Sequence, residues 1–171
     1  IVSVGMFEHV GLPHYQQFFD TVERLLATDG VALLHTIARA DGPGATDPWT
    51  AKYIFPGGYI PALSETLAAS EKSRLIAADV ETLRLHYART IRAWYANCIA
   101  NRAAIIALYD EKFFRMWTFY LAGAATVFEH GSMCNYQIQY IRTRRALPIT
   151  RDYLIGSSGG SPDDPGRLRG R

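Results

Sequence analysis

At 171 residues the chain is the size of one domain and is long enough to bury a sizeable core. Apolar residues make up 49% and charged residues 20%, which excludes global disorder, and a net charge of +2 without a long basic run gives no reason to expect nucleic acid. Two cysteines, Cys98 and Cys134, stand in no metal-type spacing, and no apolar run approaches the roughly 20 residues needed to cross a bilayer.

The first eleven residues set the pattern. Ile1 to Val4 is a short apolar run that turns polar at Glu8 and His9 and ends at Gly11 and Pro13. An apolar run without alternation suits a strand buried on both faces of a parallel sheet. Residues just past the carboxyl end of such a strand face the ligand crevice of an open α/β sheet, so Glu8 and His9 are expected at its lip. The chain lacks an initiator Met and starts inside this strand, with no signal peptide, so a fragment of a longer protein is expected. An amphipathic helix follows Pro13, with Phe18, Val22, Leu25 and Leu26 on one face, and Asp29-Gly30 closes it. Val31 to Ile37 reads as a second buried strand. Strand, helix, strand makes a right-handed βαβ unit and brings Glu8 and His35 toward one edge of the sheet.

Residues 38–60 read as a loop whose aromatic residues, Trp49, Tyr53 and Phe55, suit a lid or pocket wall or plain packing on the core. A short helix is expected over Pro61 to Glu71 and a weak strand over Leu75 to Val80. Two long helices follow. One carries the stripe Leu83, Tyr87, Ile91, Trp94 and Cys98; the other carries Phe113, Trp117, Tyr120, Ala124 and Val127 or Phe128. Cys134 to Tyr140 alternates, with Tyr136, Ile138 and Tyr140 against Asn135, Gln137 and Gln139, the mark of an antiparallel strand at or near an edge. From Gly156 onward only Gly, Ser, Pro, Asp, Leu and Arg remain, and a disordered tail is expected over 156–171 after a single unit over 1–155. Arginines gather late, from Arg142 to Arg171, and suit a solvated tail or contact with anionic lipid.

No Gly-x-Gly-x-x-Gly or phosphate-binding loop is present, and no Ser-His-acid set is evident. His9 and His14 lie five apart, outside the spacing of a helical metal pair, so no metal site is expected. What remains is Glu8, His9 and His35 at the ends of apolar strands. A carboxylate and an imidazole there can bind a small polar ligand or move a proton. The residues alone leave the alternatives open: His35 as a satisfied core histidine, Glu8 as a backbone anchor, Tyr87 as part of a packed stripe.

Five segments, in order, carry a resemblance: residues 1–11, Leu-Leu-His-Thr-Ile (33–37), Tyr-Ile-Phe-Pro-Gly-Gly (53–58), His-Tyr-Ala-Arg-Thr-Ile (86–91) and Phe-Arg-Met-Trp-x-x-Tyr-Leu (114–121). Together they resemble the cyclopropane-fatty-acyl-phospholipid synthase family, which includes the mycolic acid cyclopropane synthases. The resemblance implies an α/β class I S-adenosylmethionine-dependent methyltransferase fold with a Rossmann-like sheet, of which this chain supplies the fourth to seventh strands and a helical insertion. The half with the glycine-rich loop, the acidic ribose partner and a site-lining cysteine is not in this sequence, so the cofactor-binding residues are not assigned and the isolated chain is expected to be inactive. The implied reaction is methylene transfer from S-adenosylmethionine to the cis double bond of an unsaturated phospholipid acyl chain, with bicarbonate as base. The implied bicarbonate contacts are Glu8, His35, Tyr87 and the carbonyl of Val4, the first three being the catalytic set. Aromatic residues that could face a carbocation are Phe7, Tyr53, Phe55, Trp117 and Tyr120. The alternatives are a lipid C-methyltransferase that leaves a methyl branch and a non-enzymatic lipid-binding remnant. The expected setting is cytoplasmic, in peripheral contact with the inner face of the membrane, and compatible with a homodimer.

Overall fold

The computed structural model describes residues 1–155, and the tail expected over 156–171 lies outside the described residues. Four strands form one mixed sheet: β1 (Val2–Val4), β2 (Val31–Arg39), β3 (Ile76–Thr82) and β4 (Met133–Ile141), in the order β1-β2-β4-β3. The β1 and β2 strands are parallel, while β4 runs antiparallel to both β2 and β3. Helices α1 (Tyr15–Leu25) and α3 (Leu63–Lys72) pack on one face of the sheet, and α4 (His86–Ala100) and α6 (Glu111–His130) on the other.

The period of two along β2 explains the two faces. Ala32, Leu34, Thr36 and Ala38 are buried against α1, whereas Leu33, His35, Ile37 and Arg39 are half-buried on the face toward α4 and α6. The strand alternates where burial on both faces was expected, and it runs past His35 to Arg39, so His35 sits at mid-strand. β1 has a neighbour on one side only among the described residues. As the edge of the described sheet it leaves Val2 70% and Val4 62% exposed. The alternation of β4 is as expected, with Tyr136, Ile138 and Tyr140 in the α1 core, but β4 lies inside the sheet because β3 covers its far side.

The buried face of α1 is Tyr15, Phe19 and Val22, continued by Leu26, while Leu25 is exposed, a rotation of the expected stripe by one residue. The 38–60 segment holds a short helix, α2 (Pro48–Tyr53), started by Pro48 and by the Asp47 carboxylate, which accepts from Trp49 N and Thr50 N. Another unexpected helix, α5 (Arg102–Leu108), separates α4 from α6, and Asp110 caps α6 by accepting from Phe113 N at 2.6 Å.

In the α1 core, burial pushes the Tyr140 phenol up from 10.0 to about 12. The folded state therefore holds this proton to higher pH than the unfolded chain does. The associated stability is fully present below pH 10 and is lost as pH rises toward 12. The melting temperature is expected to fall across that interval, and Tyr140→Phe, followed by circular dichroism, should make the fall shallower.

Candidate functional site

Glu8 is placed by a turn that sends consecutive residues to opposite sides of the sheet. After β1 the backbone passes through Gly5 at φ 62°, a left-handed conformation that glycine adopts without strain, into a 3-10 turn at Phe7–His9. Phe7 goes to the α1 side, stacked on Tyr15 at 4.1 Å and edge-on to Phe18. Glu8 goes to the α6 side. Its carbonyl accepts from Tyr59 N at 2.9 Å, and its Oε1 accepts from Ile37 N at 2.6 Å. The residue is 5% exposed, and Oε2 is buried with no partner among the described residues. A carboxylate with one oxygen fixed and the other bare in the interior calls for a donor.

Oε2 belongs to a residue on the wall of a largely apolar cavity of about 860 Å³, a volume within the range of small-molecule sites. The inner wall is formed by Glu8, Tyr87, Ile37, Phe128 and Met133, and the outer part by Phe55, Trp49 and Phe119. Desolvation, with the Glu8 carboxylate second, raises the Tyr87 phenol above its ordinary range, so Tyr87 stays protonated and able to donate at neutral pH. Tyr120 is raised by desolvation and then by Tyr87. Its ring meets Phe55 at 5.9 Å. His9, expected at the lip, does line the cavity and sets its ring edge-on to Phe55 at 5.8 Å.

The other expected site residues are placed differently. His35 does not line the cavity. Its Nε2 faces the Asn135 side-chain amide at 3.3 Å, and its Nδ1 faces the Gln137 amide at 3.0 Å. A neutral imidazole accepts at one nitrogen and donates at the other, so one of these amides presents its oxygen. Asn135 Oδ1, buried and without another partner, is suited to that role. Val4 is on the exposed edge strand, and its neighbour Gly5 lines the cavity instead. Of the expected aromatic walls, Phe55 and Tyr120 line the cavity. Phe7 is in the opposite core, Trp117 packs on Phe113 and Tyr120, and Tyr53 is half-exposed beside Trp49.

The expected α6 stripe has a different partner from the one the sequence suggests. Phe114, Leu121, Ala125 and Phe128 are the buried residues of α6, while Tyr120, Ala124 and Val127 line the cavity. Sequence reasoning missed Asn135 and Gln137, read only as the polar face of a strand, and the Ile37 amide. The register was the available signal, since Gln137 lies directly opposite His35 across β2 and β4. Among the described residues, no group of His, Cys, Asp or Glu could hold a metal ion.

The fit of the expected small groups can be judged from these contacts. Glu8 and Tyr87 are an acceptor and a donor on one cavity wall, the residue types that an anion with one acidic hydrogen would require. S-adenosylmethionine is another matter. The described residues offer no glycine-rich turn opening a helix, so its binding is not assigned to them.

The family model for mycolic acid cyclopropane synthetase matches residues 1–138. The cyclopropane-fatty-acyl-phospholipid synthase of Escherichia coli (strain K12) is 38% identical over 142 residues, covering 83% of this chain and 37% of that protein. A probable fatty acid methyltransferase of Pseudomonas putida is 40% identical over 162 residues, covering 89% of this chain and 41% of that protein. The solved structure of a mycolic acid cyclopropane synthase complexed with SAH and CTAB superposes with a TM-score of 0.75 at 32% identity, over 82% of this chain and 54% of that one. The chain thus spans about two fifths of the length of these two curated relatives.

Gln137→Leu is expected to leave a His35 nitrogen without its partner and to lower unfolding stability by about 1–3 kcal/mol, read by urea denaturation.

Proposed function

The chain belongs to the mycolic acid cyclopropane synthetase family, and from that premise we propose that the protein containing it converts the cis double bond of unsaturated phospholipid acyl chains to a cyclopropane ring, using S-adenosylmethionine. Its sheet and helices are those of the class I S-adenosylmethionine-dependent methyltransferase fold. One observation supports the reading above the others: Glu8, a buried carboxylate whose Oε2 has no partner among the described residues, and Tyr87 both line one largely apolar cavity.

When bound, S-adenosylmethionine would supply an electrophilic methyl group to the double bond, its C–S bond breaking to leave the neutral thioether. The residues of this chain serve the lipid and the proton. Phe55, Tyr120, Ala124 and Phe128 hold the acyl chain away from water. Tyr120 and Phe55, edge-to-face on the cavity wall, are the aromatic rings that would stabilise positive charge on the chain. Ring closure requires loss of a proton from the newly attached methyl, and that proton is strongly acidic beside a carbocation. A weak base suffices, and bicarbonate supplies one. Glu8 Oε2 would accept its hydroxyl hydrogen while the Tyr87 hydroxyl donates to one of its oxygens. His35 and the Val4 carbonyl belong to this set on the resemblance alone. A second reading rests on the Pseudomonas putida relative: a fatty acid methyltransferase that quenches the same cation differently and leaves a methyl branch.

The test is to express the full reading frame in a bacterium deleted for its own cyclopropane synthase and to profile acyl chains by mass spectrometry. Cyclopropane chains appearing at the expense of monounsaturated ones are the expected result, methyl-branched chains would select the second reading, and unchanged lipids with soluble protein would refute both. Glu8→Gln keeps the side-chain shape but replaces an obligate acceptor with a mixed group. It is expected to lower turnover roughly 10²-fold or more with little loss of cofactor binding, and Tyr87→Phe to lower turnover in the same assay.

A further inference from the structure

The cavity meets the surface at Phe119, whose ring lines it while 65% exposed. Trp49 of α2 lies edge-on to that ring at 5.1 Å and beside the half-exposed Tyr53 at 5.7 Å, so α2 and α6 share an aromatic rim. Cations surround it. Lys52 is one position from Tyr53, its ammonium 5.1 Å from the ring centroid. On α6, Lys112 and Arg115 are exposed and share the helix face of Phe119, one and two turns before it. Lys52, Lys112 and Arg115 form no ion pair among the described residues, whereas the nearby Glu111 is paired with Arg102. Two further acids lie near the rim, Asp47, bound by the amides of Trp49 and Thr50, and Asp110, bound by that of Phe113, against the three unpaired cations.

Tryptophan and tyrosine favour the level of lipid headgroups, and lysine and arginine are drawn to an anionic leaflet. Here both kinds of side chain ring the opening of an apolar cavity. We infer that the α2–α6 rim is the surface that docks on an anionic bilayer, laying the cavity mouth against the headgroups so that an acyl chain can pass into the cavity without crossing water. The occupant is a lipid surface on two grounds, the excess of three unpaired cations over two acids along the rim and its continuity with the cavity. The inference rests on the lipid reading proposed above and adds the place of contact.

Full-length protein would be sedimented with vesicles of phosphatidylglycerol and phosphatidylethanolamine, and with vesicles of phosphatidylcholine alone. Tighter binding to the anionic vesicles, weakened by salt, is expected. Lys52→Glu with Arg115→Glu should weaken it about tenfold or more, while the same reversals at Arg24 and Lys72, on the opposite face of the sheet, should not. These rim cations lie outside the cavity, so modification of detergent-dispersed lipid should be unchanged while modification of vesicle lipid falls. If the reversals prevent folding, Lys52→Gln with Arg115→Gln should show the same order at smaller size. Equal loss from rim and control variants, or no preference for anionic vesicles, would overturn the inference. The two readings fail separately: binding that depends on the rim without any lipid modification refutes the proposed reaction, and lipid modification with rim-independent binding refutes only the docking surface.

Discussion

The hydrogen bond from the Ile37 amide to Glu8 Oε1 ties the turn after β1 to the middle of β2, and the site is arranged around it. At 2.6 Å it is short, as expected when a carboxylate accepts from a backbone amide in a poorly solvated place. It uses one carboxylate oxygen and aims the residue, leaving the other oxygen buried and without a partner among the described residues. Two further restraints prevent the turn from relaxing. The Glu8 carbonyl accepts from Tyr59 N, which fixes the loop beyond α2, and Phe7 is locked between Tyr15, Phe18 and Phe19 on the far side of the sheet. The aromatic core under α1 is therefore part of the site, although none of its rings reaches the cavity.

Burial of Glu8 and Tyr87 then acts on both together. Removing water from Tyr87 disfavours its phenolate, and the carboxylate disfavours it further, so the pair is an acceptor beside a donor. That polarity suits an anion with a single acidic hydrogen and would be poorly suited to a fully ionised one, which Glu8 would repel. Cys134 is buried on the α1 side, where desolvation raises its thiol, so it stays neutral and out of reach of an electrophile in the cavity.

Much of this was legible in the sequence because it depends on local periodicity. The strand–helix–strand opening, the alternation of β4 and the placement of Glu8 and His9 at the end of the first strand all follow from apolar spacing. The errors share a cause. Periodicity says which side chains share a face but not what that face meets. The Tyr120–Ala124–Val127 stripe has the spacing of core and lines a cavity as well, with Tyr120 and Ala124 also packed on the α4–α6 core, while Asn135 and Gln137 have the spacing of a solvent face and meet His35. His35 looked like the polar end of a strand, and only the β2–β4 register shows that β2 continues past it with amides opposite. Pairing between residues 100 positions apart leaves no local trace.

The cavity itself is the last link. Protein interiors are close-packed, and apolar space that can collapse ordinarily does. Here it is held open from both sides. α6 leans on α4 through Leu121 and Ala125 against Ala88 and Ile91, so the helix cannot move toward the sheet without breaking that contact. An exposed ion pair between Arg92 and Glu129 joins the same helices, but in water it adds little beside the apolar contact. Among the α6 residues that line the cavity, Gly123 and Ala124 are the small ones, set between Phe119–Tyr120 and Val127–Phe128. A Cβ at Gly123 would meet nothing within 4 Å. A helix that packs one face tightly and interrupts the adjacent face with a glycine and an alanine retains apolar volume that folding alone does not need. On the reading proposed above, a flexible apolar chain would fill that volume and supply the missing contacts.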